Sequence, residues 1–127
     1  MAKWASTTVL DGGPNAIKSG ASRMALIKSY SPGDSYAAVI ANRVAEANMS
    51  SGDYTISTVG SDRRLTTAAK TGVISSAPSG VGPDLHIAFH DGTANVFWVT
   101  DETSNVVVSA GIQVNFPAIT YDFKQPT

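Results

Sequence analysis

Short clusters of turn-forming residues divide the sequence at close intervals, and this feature limits the fold more than any other. Gly, Pro, Asn, Asp and Ser favour turns because they supply positive φ, a fixed φ or a local side-chain hydrogen bond. The clusters fall at residues 11–15, 31–34, 51–53, 60–62, 79–83, 91–92 and 109–111. Turn signals at such short intervals favour an all-β domain, so the sequence predicts a mainly β domain with many turns.

The last third of the chain carries the clearest strand pattern. Leu85, Ile87 and Phe89 alternate with polar or small residues, and an Asp-Gly turn signal separates this strand from 96–101. Further segments at 106–109 and 111–123 complete a predicted meander of about four strands. Pro117 interrupts the last one, which places it at an edge, bulge or kink.

Earlier segments predict shorter elements. Residues 23–30 read as a strand buried on both faces, and 53–57 and 64–68 read as strands joined by the turn at 60–62. Residues 35–49 are alanine-rich with helical spacing and have Ser35 as a possible N-cap. We therefore expect at most one short helix, around residues 35–49.

Length and composition set further limits. The 127 residues are about one domain's worth of sequence, and charged residues are only 15% of it. The net charge is −1 and no basic cluster exceeds Arg63-Arg64, so we expect no nucleic acid partner. There is no cysteine, no signal-peptide pattern and no long apolar run. We expect a soluble protein that is made in the cytoplasm and does not bind a membrane.

The two histidines are the first candidates for a metal or acid-base site. His86 and His90 lie on one face of a predicted strand, but four residues of strand separate them by about 13 Å, too far for one ion. We therefore predict no metal site and a solvated strand face, with a structural role at an interface as the alternative.

No other pattern predicts catalysis. Asp101 and Glu102 are adjacent and are expected to be solvated in a turn, whereas a carboxylate pair needs a cleft between its members. The sequence has no Gly-x-Ser-x-Gly elbow, and the glycines at 12–13 and 80–82 lack the Lys-Ser/Thr of a phosphate loop. The sequence thus predicts no catalytic residue, no cofactor and no enzymatic activity.

Aromatic and arginine side chains are the candidates for a protein interface. Trp98 and Phe97 point to opposite faces, so one is core and the other lies under a loop or at a subunit contact. Trp4 is either tucked onto its own domain or anchored in a neighbour. The same two readings apply to Tyr121 and Phe123, with core favoured. Arg63 and Arg64 read as a solvated turn exit, or as a pair of which one meets an acidic neighbour across an interface.

The order of these features resembles that of small virion structural proteins of tailed bacteriophages, in particular head decoration or cement proteins. The matching segments are Ala25–Lys28, Ser51–Ile56, Asp62–Leu65, Asp84–Phe89, Phe97–Thr100 and Gly111–Ala118. They cover most of the chain as a pattern of strands and turns.

The resemblance implies a single antiparallel β-sandwich or jelly-roll-like domain over 1–127, with extended arms at about 1–13 and 117–127. It also implies a location on the outer capsid surface, by icosahedral assembly, with the major capsid protein and neighbouring copies of the chain as partners. Such a protein is not an enzyme and stabilises the shell through many modest contacts.

Two other functions compete with this one. A tail- or fibre-associated module that binds a host-surface glycan would show an exposed aromatic shelf, at Trp98 or Tyr54. A small hydrolase would place His86 or His90 within hydrogen-bond reach of a carboxylate inside a pocket.

Overall fold

The computed structural model of the chain describes residues 2–76, 80–104 and 106–126. Within these ranges it has the strands β1 (Arg23–Ile27), β2 (Arg43–Asn48), β3 (Tyr54–Val59), β4 (Asp62–Thr67), β5 (Lys70–Ile74), β6 (His86–His90), β7 (Val96–Asp101), β8 (Gln113–Phe116) and β9 (Thr120–Phe123). The helices are α1 (Thr7–Leu10), α2 (Gly12–Gly20) and α3 (Tyr36–Ala41), and a 3₁₀ turn covers Ser51–Asp53.

The strands form three antiparallel sheets with the orders β2-β1-β6-β7, β3-β4-β9 and β5-β8. This mainly β architecture is consistent with a single-domain β-sandwich, so the predicted fold class is confirmed. The sequence alone left the strand order open, because pairing between distant strands has no local signal.

Strands β1 and β6 occupy the middle of the four-stranded sheet. Ala25 lies opposite Ala88, and residues 24–27 of β1 are all buried. A strand with neighbours on both edges and packing on both faces reads as a continuous apolar run. The prediction of a strand buried on both faces is therefore confirmed for residues 24–27.

One face of this sheet packs on the main core, which also takes residues from the other two sheets. Its largest fully buried side chains include Tyr54, Phe89, Phe116, Met24 and Leu65. In the three-stranded sheet, Val59 pairs with Asp62 across a two-residue turn in which Gly60 has a φ of 61°. Glycine adopts this conformation without steric cost, so the turn predicted at 60–62 closes as a tight hairpin.

The other face of the four-stranded sheet is covered by α3. Val39 of this helix is fully buried and packs with Ala25, Ile27 and Ala88 in a second, smaller cluster. The Ser35 side chain accepts a hydrogen bond from the Ala38 N–H at 3.2 Å, which confirms its role as the N-cap.

The predicted helix around 35–49 is shorter than its alanine-rich pattern indicates. It ends at Ala41, and Arg43–Asn48 is strand β2, which pairs with β1. Pairing with an already buried strand outweighs the weak helix preference of this segment, since intrinsic propensity is a small term.

Two further helices lie where the sequence predicts a turn and an extended arm. Residues 7–10 form α1 and residues 12–20 form α2, so the limit of one helix and the turn at 11–15 are wrong. Pro14 falls in the first turn of α2, where its missing N–H breaks no helical hydrogen bond. Ile17, buried at 5% exposure, attaches the helix to the main core.

The last third of the chain is not a meander. Among its described residues, β6 pairs with β7, whereas β8 pairs with β5 and β9 pairs with β4. The segment 106–109 contributes a single bridge, Val108 to Val81, and Pro117 lies at the connection between β8 and β9. The expected arm at 117–127 therefore contains a paired strand.

Among the residues that the structure describes, no helix is long and apolar enough to cross a membrane.

Candidate functional site

The most exposed large apolar side chain on the described surface is Trp4, at 76% exposure. It lines a cavity of about 410 Å³ beside the β3–β4 turn. We call this region the Trp4 surface; it comprises Lys3, Trp4, Thr7, Thr58, Gly60, Ser61, Arg63 and Gln125. Of the two readings of Trp4, the structure shows that the ring is not tucked into its own domain.

The backbone that presents Trp4 is held in place by Gln125. The Ala5 N–H donates to Gln125 Oε1 at 2.9 Å, and Gln125 Nε2 donates to the Ala5 carbonyl at 2.9 Å. The Gln125 N–H in turn donates to Asp62 Oδ1 at 2.8 Å, at the start of β4. Residues far apart in sequence thus fix the direction in which Trp4 leaves the body.

Arg63 connects the same surface to the helical segment. Its Nε lies 2.7 Å from Asp11 Oδ1 and its Nη2 lies 3.1 Å from Asp11 Oδ2, and Nη1 also contacts the Thr58 hydroxyl. The Asp11 carboxylate, through these hydrogen bonds, raises the pKa of Arg63. The planar guanidinium suits this two-point geometry, so the pair fixes the start of α2 against β4.

Arg64 points away from the Trp4 surface and has its own carboxylate. Its Nε and Nη2 donate to the two oxygens of Asp122 at 2.6 and 2.9 Å, between β4 and β9. Hydrogen bonding raises the pKa of Arg64 and lowers that of Asp122. Both arginines of the Arg63-Arg64 pair therefore meet acidic partners within the chain.

Trp98, Tyr121 and Phe123 form a continuous aromatic row. Trp98 stacks on buried Phe89 with ring centroids 4.6 Å apart, Tyr121 follows at 5.1 Å, and Phe123 stacks on Tyr121 at 4.5 Å. The row joins β7 of one sheet to β9 of another, and Tyr121 is 40% exposed. Trp98 and Phe123 pack against the core, as the core reading of these residues predicts.

Phe97, on the opposite side of β7 from Trp98, packs against α2. A Cβ placed on Gly20 would lie 2.5 Å from the Phe97 ring, so the bare glycine allows this approach. The ring is 36% exposed. Trp98 is the core member of the pair, and Phe97 lies against a helix rather than under a loop.

The prediction that both histidines lie on a solvated face is wrong for His90. This side chain is 1% exposed, because α3 covers the face that the sequence assigned to solvent. Its Nε2 lies 2.7 Å from Glu46 Oε1, and the Tyr36 ring packs on it edge-on at 5.7 Å. His90 is thus a buried, hydrogen-bonded core residue.

His86 is partly exposed and lies next to Asp101. Its Nδ1 is 3.1 Å from Asp101 Oδ1, and both residues line a cavity of about 370 Å³ with Tyr30, Pro32 and Thr100. This pair meets the geometric condition of the hydrolase alternative. A carboxylate on Nδ1 holds the imidazole with Nε2 free to accept a proton, but a nucleophile is needed as well.

Tyr54 cannot be the aromatic shelf of the glycan-binding alternative. Its side chain is 1% exposed, and its hydroxyl donates to the Ala21 carbonyl at 2.7 Å. Burial and, secondarily, the nearby Asp53 charge raise the pKa of this hydroxyl well above its usual value.

No group of three or more His, Asp or Glu side chains in the described ranges is placed to hold a metal ion.

The sequence did not reveal two residues that position the Trp4 surface, Asp11 and Gln125. Asp11 lies in a segment that reads as a turn, and an isolated glutamine carries no signal of its long-range partner.

No protein-family model, no curated protein and no solved structure matches the chain.

Proposed function

We propose that the chain is a non-enzymatic structural protein of a tailed-bacteriophage virion, of the capsid decoration or cement type. In this role it binds the outer surface of the major capsid protein shell, beside neighbouring copies of itself, and stabilises the shell. The resemblance of the sequence to such proteins suggests the role, and the Trp4 surface supports it.

The observation that carries the proposal is the exposure of Trp4 on a fixed backbone. An exposed tryptophan offers a large apolar area to a partner, and tryptophan is enriched among the residues that dominate binding energy. Because Gln125 already orders the segment, docking Trp4 costs little further conformational entropy.

Ion pairs within the chain also favour a protein partner over nucleic acid or a membrane. Among the residues that the structure describes, six basic side chains lie within 4 Å of a carboxylate: Arg23, Arg43, Arg63, Arg64, Lys70 and Lys124. A surface on which these cations already have carboxylate partners is poorly suited to phosphate backbones and anionic lipid, which are bound through unpaired basic groups. It is compatible with docking on a protein shell.

The test is rebinding to particles stripped of the chain. The wild-type chain is expected to restore occupancy and to raise the melting temperature of the shell. Trp4→Ala should weaken binding by about 30-fold or more, the effect of losing an interface residue worth at least about 2 kcal/mol. Since Trp4 is exposed, the variant alone should unfold within about 0.5 kcal/mol of wild type.

Ile74→Ala is the matched control, because Ile74 is also apolar and exposed, at 59%, but lies on β5. It should rebind like wild type. Equal loss in both variants would contradict Trp4 as the anchor, and failure of the wild-type chain to bind any shell would contradict the cement role.

A small hydrolase is the second candidate, favoured by the His86–Asp101 pair in its cavity. Turnover of a panel of activated esters and peptides by wild type, lost in His86→Ala, would support it. The cement role predicts no turnover by the wild-type chain.

A further inference from the structure

The loop between β6 and β7, residues 91–95, is organised by the Asp91 side chain. Asp91 Oδ1 accepts hydrogen bonds from the N–H groups of Thr93, Ala94 and Asn95 at 2.9, 2.9 and 3.0 Å. Asp91 Oδ2 accepts from the Asn95 side chain at 2.8 Å. The loop is therefore compact and is fixed at its first residue.

The loop is also hydrogen-bonded to the buried side chain of His90. The Gly92 N–H donates to His90 Nδ1 at 3.0 Å, so Nδ1 carries no proton. The ring proton is then on Nε2, which donates to Glu46 Oε1 at 2.7 Å. These two contacts assign the ring proton of His90 to Nε2.

We propose that His90 is a proton-sensitive latch for the 91–95 loop. A second proton on the ring has only Nδ1 to occupy. There it would face the Gly92 N–H, and two donors cannot share a hydrogen bond. Protonation of His90 therefore breaks the Gly92 contact, one of the hydrogen bonds that hold this end of the loop.

The other groups around the His90 ring oppose a proton on Nδ1 less directly than the Gly92 N–H does. From β2, Glu46 accepts the Nε2 proton in both states and is itself contacted by Arg43 Nη1 at 3.1 Å. From β1, Arg23 Nε lies 3.9 Å from the same carboxylate. From α3, Tyr36 presents its ring edge-on. None of these groups opposes a proton on Nδ1 as directly as the Gly92 N–H, so the ring stays on Glu46 while the loop moves.

Asp91, the remaining charged neighbour, does not titrate in the same range. Hydrogen bonds from the backbone of Asn95, Ala94 and Thr93 hold the pKa of this carboxyl well below its usual range. It therefore remains ionised from about pH 8 down to about pH 5. A loop change in this range is therefore not due to protonation of Asp91.

The test is an NMR titration of the free protein over that range. Ring nitrogen shifts should show the Nε2–H tautomer of His90 at high pH. As the ring becomes charged, the Gly92 amide should lose roughly two- to tenfold of its hydrogen-exchange protection factor, the effect of one lost hydrogen bond. Amides of β6 should keep theirs.

Two variants separate the two histidines. His86→Gln should leave the pH response of Gly92 intact, whereas His90→Gln should abolish it because glutamine does not titrate. A Nδ1–H tautomer at high pH would overturn the proposal. So would unchanged Gly92 protection while His90 becomes charged, or a His90 ring that stays neutral until the whole protein unfolds.

Discussion

Removal of the Tyr54 hydroxyl measures how much its hydrogen bond to the end of α2 contributes to the stability of the fold. Tyr54→Phe keeps the buried ring, which lies 6.3 Å from Phe89, and removes only the hydrogen bond to the Ala21 carbonyl. Loss of a buried hydrogen bond that leaves its acceptor without this donor costs about 1 to 2 kcal/mol. The variant is therefore expected to be less stable by that amount.

The expected melting shift follows from the length of the chain. An unfolding entropy of about 2.1 cal/mol/K per residue gives about 0.27 kcal/mol/K for 127 residues. A loss of about 1 to 2 kcal/mol then lowers the melting temperature by roughly 4 to 7 °C. Calorimetry of wild type and variant at neutral pH measures this directly.

Tyr54→Phe also changes how the stability of the fold depends on pH above about 10. Burial raises the pKa of Tyr54 in the folded state, so the group stabilises the fold fully below its unfolded pKa of about 10 and loses this contribution as pH rises further. Tyr54→Phe should flatten the loss of stability above about pH 10.

Tyr121→Phe is the matched control, because the Tyr121 ring is 40% exposed and the change keeps its stacking on Phe123. It should shift the melting temperature little. A Tyr54→Phe protein that melts like wild type and keeps the full alkaline loss would refute the buried hydrogen bond.

Two further predictions concern α2 and the Arg64 pair. Gly13→Ala should destabilise the fold by about 1 to 3 kcal/mol in urea unfolding, because its Cβ would lie 2.4 Å from the Phe123 ring; Gly12→Ala, with open space around it, should not. Asp122→Asn should lower the urea midpoint at about pH 7 and have less effect at about pH 3. The lowered pKa of Asp122 beside Arg64 stabilises the fold above the unfolded pKa of about 4, and this contribution is lost as pH falls. Equal destabilisation by the two alanines, or an Asp122→Asn effect that is as large in acid, would contradict these assignments.

Elements with local signals were predictable from the sequence. The β3–β4 and β6–β7 hairpins carry turn residues between alternating segments, and Ser35 marks the start of α3. In each case the residues that decide the structure lie within a few positions of each other, so the sequence pattern contains the information.

Elements that depend on distant partners were not predictable. Helix α2 is rich in glycine and is held by Ile17 and by aromatic rings from β7 and β9. The burial of His90 depends on α3 folding over a face that alternation alone assigns to solvent. Only tertiary packing decides these features, and neither leaves a pattern in its own segment.

The candidate site was also predictable only in part. Trp4 stood out by residue type, and the sequence left open whether its ring is tucked in or presented outward. The decision depends on Gln125, whose side chain holds the Ala5 backbone from 120 positions away.

Electron cryomicroscopy of purified phage particles, examined for the presence of the chain, tests the proposed role most directly. The cement role predicts many copies at symmetry-related positions on the outer shell, with the Trp4 surface against the major capsid protein. Copies confined to the tail, or particles that contain none of the chain, would contradict it.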